Sequence, residues 1–151
     1  MVHIHHRGAA DVPLGFAFAY ASDLRNAPEW LFGITRIDVL GDIPVGVGAV
    51  YDGTMKLGPI TLHSTVRIVE WEQNSYACAE SIAGFETRST WRLRAVEDGT
   101  TEVVVDIDYE LPGGFAGKAL GHALEPFVQI AAQRSEAALR AVLERRYADA
   151  A

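Results

Sequence analysis

The chain is predicted to be an α+β domain: a curved antiparallel β-sheet of six to seven strands wraps a long C-terminal helix, and two short helices follow the first strand. Three observations predict it. A short, almost wholly apolar helical stretch follows the first strand-like segment. Residues 85–111 alternate apolar and polar side chains with period two on both sides of one turn. Beyond Gly114, apolar residues recur at spacings of three and four. A period of two with one apolar face means a sheet covered on one side and wet on the other. The terminal helix supplies the cover, and a cavity between the two is expected.

Composition narrows the classes. A chain of 151 residues fits one domain, 1–151, long enough to bury most of its apolar surface. With 49% hydrophobic and 22% charged residues it is a folded globular chain. A net charge of −7 argues against nucleic acid and against docking on anionic lipid. Cys78 is the single cysteine, which suits a reducing compartment. No apolar run reaches the length of a membrane span and no secretory signal is visible, so a cytoplasmic location is expected.

The elements follow in order. His3 to Ala9 reads as an edge strand. Asp11-Val12-Pro13 reads as a helix start, with Asp11 as cap and Pro13 in the first turn. Phe16, Phe18 and Tyr20 make Leu14 to Ala21 a buried helix. Asp23 caps a second short turn, Pro28 breaks it, and Trp30 and Leu31 add core bulk. Strands are expected over 35–40, 49–57, 60–71, 75–82, 85–96 and 101–111, with turns at Gly58-Pro59, Ala83-Gly84 and Glu97-Asp98-Gly99. On the last two strands Arg88, Arg92 and Arg94 oppose Glu102, Asp106 and Asp108, so charge pairs are expected across the wet face. The final helix is expected to bury Leu120, Leu124, Phe127, Ala131, Ala138 and Val142, and to kink at Pro126.

Four local sequences carry a resemblance. They are Ala27-Pro28-Glu29-Trp30, Val47-Gly48-Ala49, residues 97–103 (EDGTTEV) and residues 109–114 (YELPGG). With the order of elements, they make the chain resemble the START-like, helix-grip (SRPBCC) superfamily, in its polyketide cyclase/dehydrase and lipid-transport branch. The resemblance implies the helix-grip fold and an internal site for a hydrophobic molecule. It does not select among carriers, receptors and cyclases, so function must be argued from the pocket.

Arg134 is the sharpest candidate, one heptad after Phe127 and two after Leu120, near the centre of the expected apolar face. A buried guanidinium needs an anion. It either anchors a ligand carboxylate, phenolate or enolate, or is spent on an internal salt bridge or rerouted to the surface. The second set comprises Tyr51, Ser64, Thr87, Ser89, Trp91 and Tyr109 on the inward sheet face, with Leu124, Phe127 and Ala131 opposite them as ligand-lining residues. Placing Tyr51 there assumes that Met55 and Leu57 mark the inward face. Glu80 stays open, because Tyr76-Cys78-Glu80 competes with Ala77-Ala79-Ser81 for the inside.

No cofactor is expected. His3 and His5 lack Cys or acidic neighbours in sequence, so no metal site is expected, and Gly46 and Gly48 precede a strand instead of a phosphate-binding helix. The leading expectation is binding of a hydrophobic or aromatic molecule of lipid, polyketide or isoprenoid type. Access is expected through 41–48, 83–84 and 112–114. Arg134 would then anchor the ligand. The alternative is a polyketide cyclase, aromatase or dehydratase, with Tyr109 or Tyr51 moving protons and Glu80 as the one eligible acid. A third class is a ligand-gated interaction protein, presenting Phe32, Ile43 and Phe115. Monomer and dimer both remain open.

Overall fold

The computed structural model describes residues 2–110 and 114–150, without the side chains at 2, 57, 114–124, 128, 131 and 132. Strand β1 (Val2–Ala10) leads into helix α1 (Leu14–Ala21), a 3-10 turn (Leu24–Asn26) and helix α2 (Ala27–Trp30). Strands β2 (Ile34–Leu40), β3 (Val50–Leu57), β4 (Ile60–Glu72), β5 (Tyr76–Gly84), β6 (Glu86–Glu97) and β7 (Thr100–Glu110) follow, and helix α3 (Gly114–Ala150) closes the chain. The seven strands form one sheet ordered β1-β7-β6-β5-β4-β3-β2, with antiparallel neighbours throughout. This is the expected helix-grip arrangement. Register shifts in the β2–β3, β4–β5 and β6–β7 pairs supply bulges, which bend a strand and increase its twist.

Local chemistry accounts for the turns. Asp98-Gly99 joins Glu97 to Thr100 with Gly99 at φ +78°, a left-handed conformation that glycine adopts without a Cβ penalty. Asp23 caps the 3-10 turn by accepting from the Arg25 amide at 3.1 Å. Two start signals differ from expectation. Pro13 holds the α1 cap position in extended conformation, while Asp11 accepts from Thr100 Oγ1 at 3.1 Å and so ties the helix start to β7. Pro28 does not break a helix: it sits in the first turn of α2, where its missing N–H would be unbonded anyway.

On the convex face the expected β6–β7 charge pairs form at Arg94 and Arg92, while Arg88 pairs away from β7. Arg94 donates to Glu102 at 2.8 Å, Arg92 approaches Asp106 at 3.5 Å, and Arg88 bridges Glu70 and Glu80. Exposed pairs of this kind set register more than they stabilise. The concave face holds the core, in two clusters. The larger joins α1, α2 and the end of α3 to the middle of the sheet, around Phe18, Trp30, Tyr51, Ile68, Trp91, Leu139 and Leu143. The smaller groups Ile4, Phe85 and Tyr109.

Helix α3 runs through Pro126 as one helix and packs on β1 and α2. Its buried line is Ser135, Leu139, Val142 and Leu143, while Phe127 and Ile130 are exposed. The expected stripe is therefore corrected at Phe127. At about 100° per residue, a line through Ser135, Leu139 and Leu143 leaves Arg134 roughly a third of a turn away. Leu124 and Ala131 fall outside the described side chains.

Candidate functional site

Between sheet, α2 and α3 lies a cavity of about 170 Å³. Strand alternation builds its floor. Ile4 and His6 of β1 stand beside Ile107 and Val105 of β7, which stand beside Ser89 and Trp91 of β6. Ala79 of β5 continues the Ser89 row, and Gly53, Met55, Leu62 and Ser64 extend the wall along β3 and β4. Leu24, Trp30 and Leu31 close one side, and Ser135, Leu139 and Leu143 roof it.

Of the sequence-predicted residues, the structure brings Trp91, Tyr109, Ser89, Thr87 and Ser64 to this wall. Ser64 is already engaged, donating to the Phe85 carbonyl at 3.2 Å. Three others are not where the sequence put them. Tyr51 is fully buried on the correct face but lies under the 41–48 loop, where its hydroxyl donates to the Pro44 carbonyl. Burial and nearby Asp23 push its phenol up to about 12. Phe127 covers the β3–β4 turn, its ring 3.3 Å from where a Cβ on Gly58 would stand. Arg134 is exposed, with its guanidinium 5.1 Å over the Phe32 ring in a shallow depression beside α2. It is no buried anchor, because the helix turns it toward solvent.

Glu80 is resolved as well. Ala77 and Ala79 are buried on the concave side, and Glu80 pairs with Arg88 on the convex side. Glu80, the acid named for the cyclase alternative, is thus outside the cavity. Cys78 is buried, and its sulfur accepts from Thr90 Oγ1 at 3.6 Å. His3 and His5 bond Asp108 and Asp106 at 2.5 and 2.7 Å on the convex face. Among the described residues, no three His, Cys, Asp or Glu side chains come together as a metal site. Phe32 and Ile43 are about half exposed, and the Phe115 side chain is not among those described.

The sequence reading missed Trp30, His6, Glu136 and Arg140, all of which line the cavity. In sequence Trp30 reads only as core bulk. His6 follows Ile4 by two and so shares its inward face, a signal that alternation offered.

Among the described residues, three buried side-chain polar atoms have no hydrogen-bond partner: Trp30 Nε1, Trp91 Nε1 and Tyr109 Oη. All three residues line the cavity. Burial first, and the Glu125 carboxylate second, raise the Tyr109 phenol above its ordinary value, so it remains a protonated donor at neutral pH. An indole N–H can only donate. The residues that carry these donors stand among walls that are otherwise nearly all apolar.

The family model described as polyketide cyclase/dehydrase and lipid transport matches residues 1–144. Among solved structures, the chain is similar to the Zhui aromatase/cyclase from Streptomyces sp. R1128, at 15% identity and a TM-score of 0.80 over 97% of this chain and 95% of that one. It is similar to TTHA0849 from Thermus thermophilus, at 20% identity and a TM-score of 0.75 over 99% of both chains. A START superfamily protein from Mycobacterium smegmatis gives 15% identity and a TM-score of 0.67 over 95% of this chain and 97% of that one. No curated protein matches the chain in sequence. Identities this low carry the fold alone.

Proposed function

The chain belongs to the polyketide cyclase/dehydrase and lipid-transport family, and from that premise we propose that its cavity binds a hydrophobic or aromatic small molecule bearing acceptor oxygens, such as a ketone or quinone. The observation that carries this reading is the set of three buried donors, unpartnered among the described residues, on side chains that line an apolar cavity. Leaving a buried donor unsatisfied costs about 1–3 kcal/mol. Three such costs are a large share of a domain's net stability of about 5–15 kcal/mol. Water is a poor remedy, since a buried water needs about two to four polar partners and these walls offer few. A ligand oxygen at each donor removes the cost and fixes the ligand's orientation. The volume suits a one- or two-ring compound, as a cavity of about 150 Å³ is known to take benzene.

The test is a matched pair of probes titrated against tryptophan fluorescence. 2-Acetonaphthone, with a carbonyl, is expected to bind saturably and about tenfold more tightly than 2-ethylnaphthalene, which has the same rings and no acceptor. Equal affinities would mean that the donors play no part in recognition. Failure of both to bind would remove the reading.

A further inference from the structure

The sheet has two edges, β1 and β2. Helix α3 packs on β1. Beyond β2 no strand follows among the described residues. An edge strand of this kind turns a row of N–H and C=O groups outward, ready to pair with another chain. Exposed apolar surface gathers at the same edge. Of the ten large apolar residues that stand exposed among those described, Phe32, Val39, Leu40, Ile43 and Val47 all lie within residues 32–47, which hold β2 and the loop after it. Apolar surface concentrated at one place marks a contact site.

The side chains of β2 are complementary to themselves. Ile37 points to the concave side: it lines the cavity, and its Cδ1 is 3.2 Å from where a Cβ on Gly53 would stand. Arg36 and Asp38 flank it and so share the convex face, where Arg36 Nε meets Asp38 Oδ2 at 2.7 Å. A second β2 laid antiparallel along this edge, Ile37 against Ile37, sets each Arg36 opposite the partner's Asp38. Sliding the register by two residues sets Arg36 against Arg36 or Asp38 against Asp38. Sliding it by one puts the concave face of one copy beside the convex face of the other. One register alone matches both charge and face.

The single chain also leaves a charge conflict at this place. Asp38 is in register with Asp52 of β3, and like charges directly opposite are unfavourable. On its free side the partner's Arg36 would offset that repulsion.

We infer that two copies of this chain pair edge to edge along β2, antiparallel about Ile37, and join their sheets into one. Backbone hydrogen bonds supply the affinity, and the two Arg36–Asp38 pairs set the register. The same surface serves both copies, so the contact closes at a dimer. It is one short strand long, which makes the association weak and concentration-dependent. Ile34 and Ile37 line the cavity, so the pairing edge is also a cavity wall in each copy. The inference does not depend on what the cavity binds.

Sedimentation velocity of the whole protein, from about 10 µM to about 1 mM, tests it. A monomer–dimer equilibrium with no larger species is expected. Asp38→Arg sets guanidinium against guanidinium across the two-fold, and Arg36→Asp sets carboxylate against carboxylate. Each single variant is expected to weaken the dimer at least about tenfold, with an unchanged circular dichroism spectrum. Mixed in equal amounts, the two variants present matching edges and the dimer returns. The doubly exchanged Arg36→Asp/Asp38→Arg protein dimerises like the original. These recoveries separate lost pairing from lost folding. A protein that stays monomeric at the highest concentration overturns the inference and leaves the two charges as guards of an unpaired edge. A dimer that survives both single variants, or a mixture that stays monomeric, overturns it equally.

Discussion

Where α1 meets β7 and the end of α3, buried side-chain polar atoms have partners, whereas three of those on cavity-lining residues have none among the described residues. Thr101 Oγ1 donates to the Val12 carbonyl at 2.8 Å and Ser22 Oγ to the Phe18 carbonyl at 2.5 Å. Tyr20 donates to Glu29, which also accepts from Arg146 at 2.7 and 2.9 Å, and the Arg146 guanidinium lies 5.2 Å over the Tyr20 ring. A few residues away, Trp30, Trp91 and Tyr109 carry bare donors. Under the proposed function the first region contributes mainly stability, and the cavity's three open donors contribute recognition.

The largest expected effect separates these roles from the stability side. Phe18 is fully buried, stacks edge-on to Trp71 at 5.0 Å and does not line the cavity. Phe18→Ala is expected to cost about 3–5 kcal/mol in chemical denaturation. Affinity for 2-acetonaphthone, measured where the variant is folded, should stay unchanged. A matching loss of affinity would show that the two regions are coupled.

The complementary change comes next in size. Tyr109→Phe removes an orphan donor and keeps the ring. Unfolding free energy should hold or rise slightly, because no hydrogen bond is lost. Affinity for 2-acetonaphthone should fall by about 1 kcal/mol, or fivefold, while 2-ethylnaphthalene affinity stays the same. If stability drops instead, the donors are bonded in solution and the comparison fails.

The smallest effect concerns two phenols. Both Tyr51 and Tyr109 ionise above the ordinary value, chiefly because burial disfavours phenolate, and Tyr51 does so near about 12. A group whose pKa is raised in the fold stabilises it fully below the unfolded value of 10.0, and that contribution is lost as pH rises through the folded value. Stability should therefore fall as pH climbs from 10 toward 12. Phenolate absorbance with 2-acetonaphthone present should show Tyr109 ionising later still, with Tyr51 unmoved. A shift of Tyr51 alone would place the ligand elsewhere.

Much of the strand side of the cavity is legible in the amino-acid sequence. Strand side chains alternate with a period of two, and turns such as Asp98-Gly99 pin the register, so alternation assigns Trp91, Tyr109, Ser89, Thr87 and Ser64 to the correct wall. Tyr51 shows the limit of that argument: its face is right, but alternation does not say which end of a strand lies under a loop. The helix is harder. Apolar residues in α3 allow more than one stripe, and a stripe through Phe127 and Ala138 puts Arg134 at its centre. Packing chose the line through Ser135, Leu139 and Leu143, because Ser135 could be buried once it met the Phe32 amide.

The sequence by itself determined the order of elements, the concave and convex faces of the last strands and the long covering helix, since these follow from periodicity and turn chemistry within a few residues. Tertiary structure alone decided the rotation of α3, the outward turn of Glu80 and the three donors left bare. Each of these depends on what stands opposite across the cavity, and the identity of a facing residue distant in sequence is written in no local pattern.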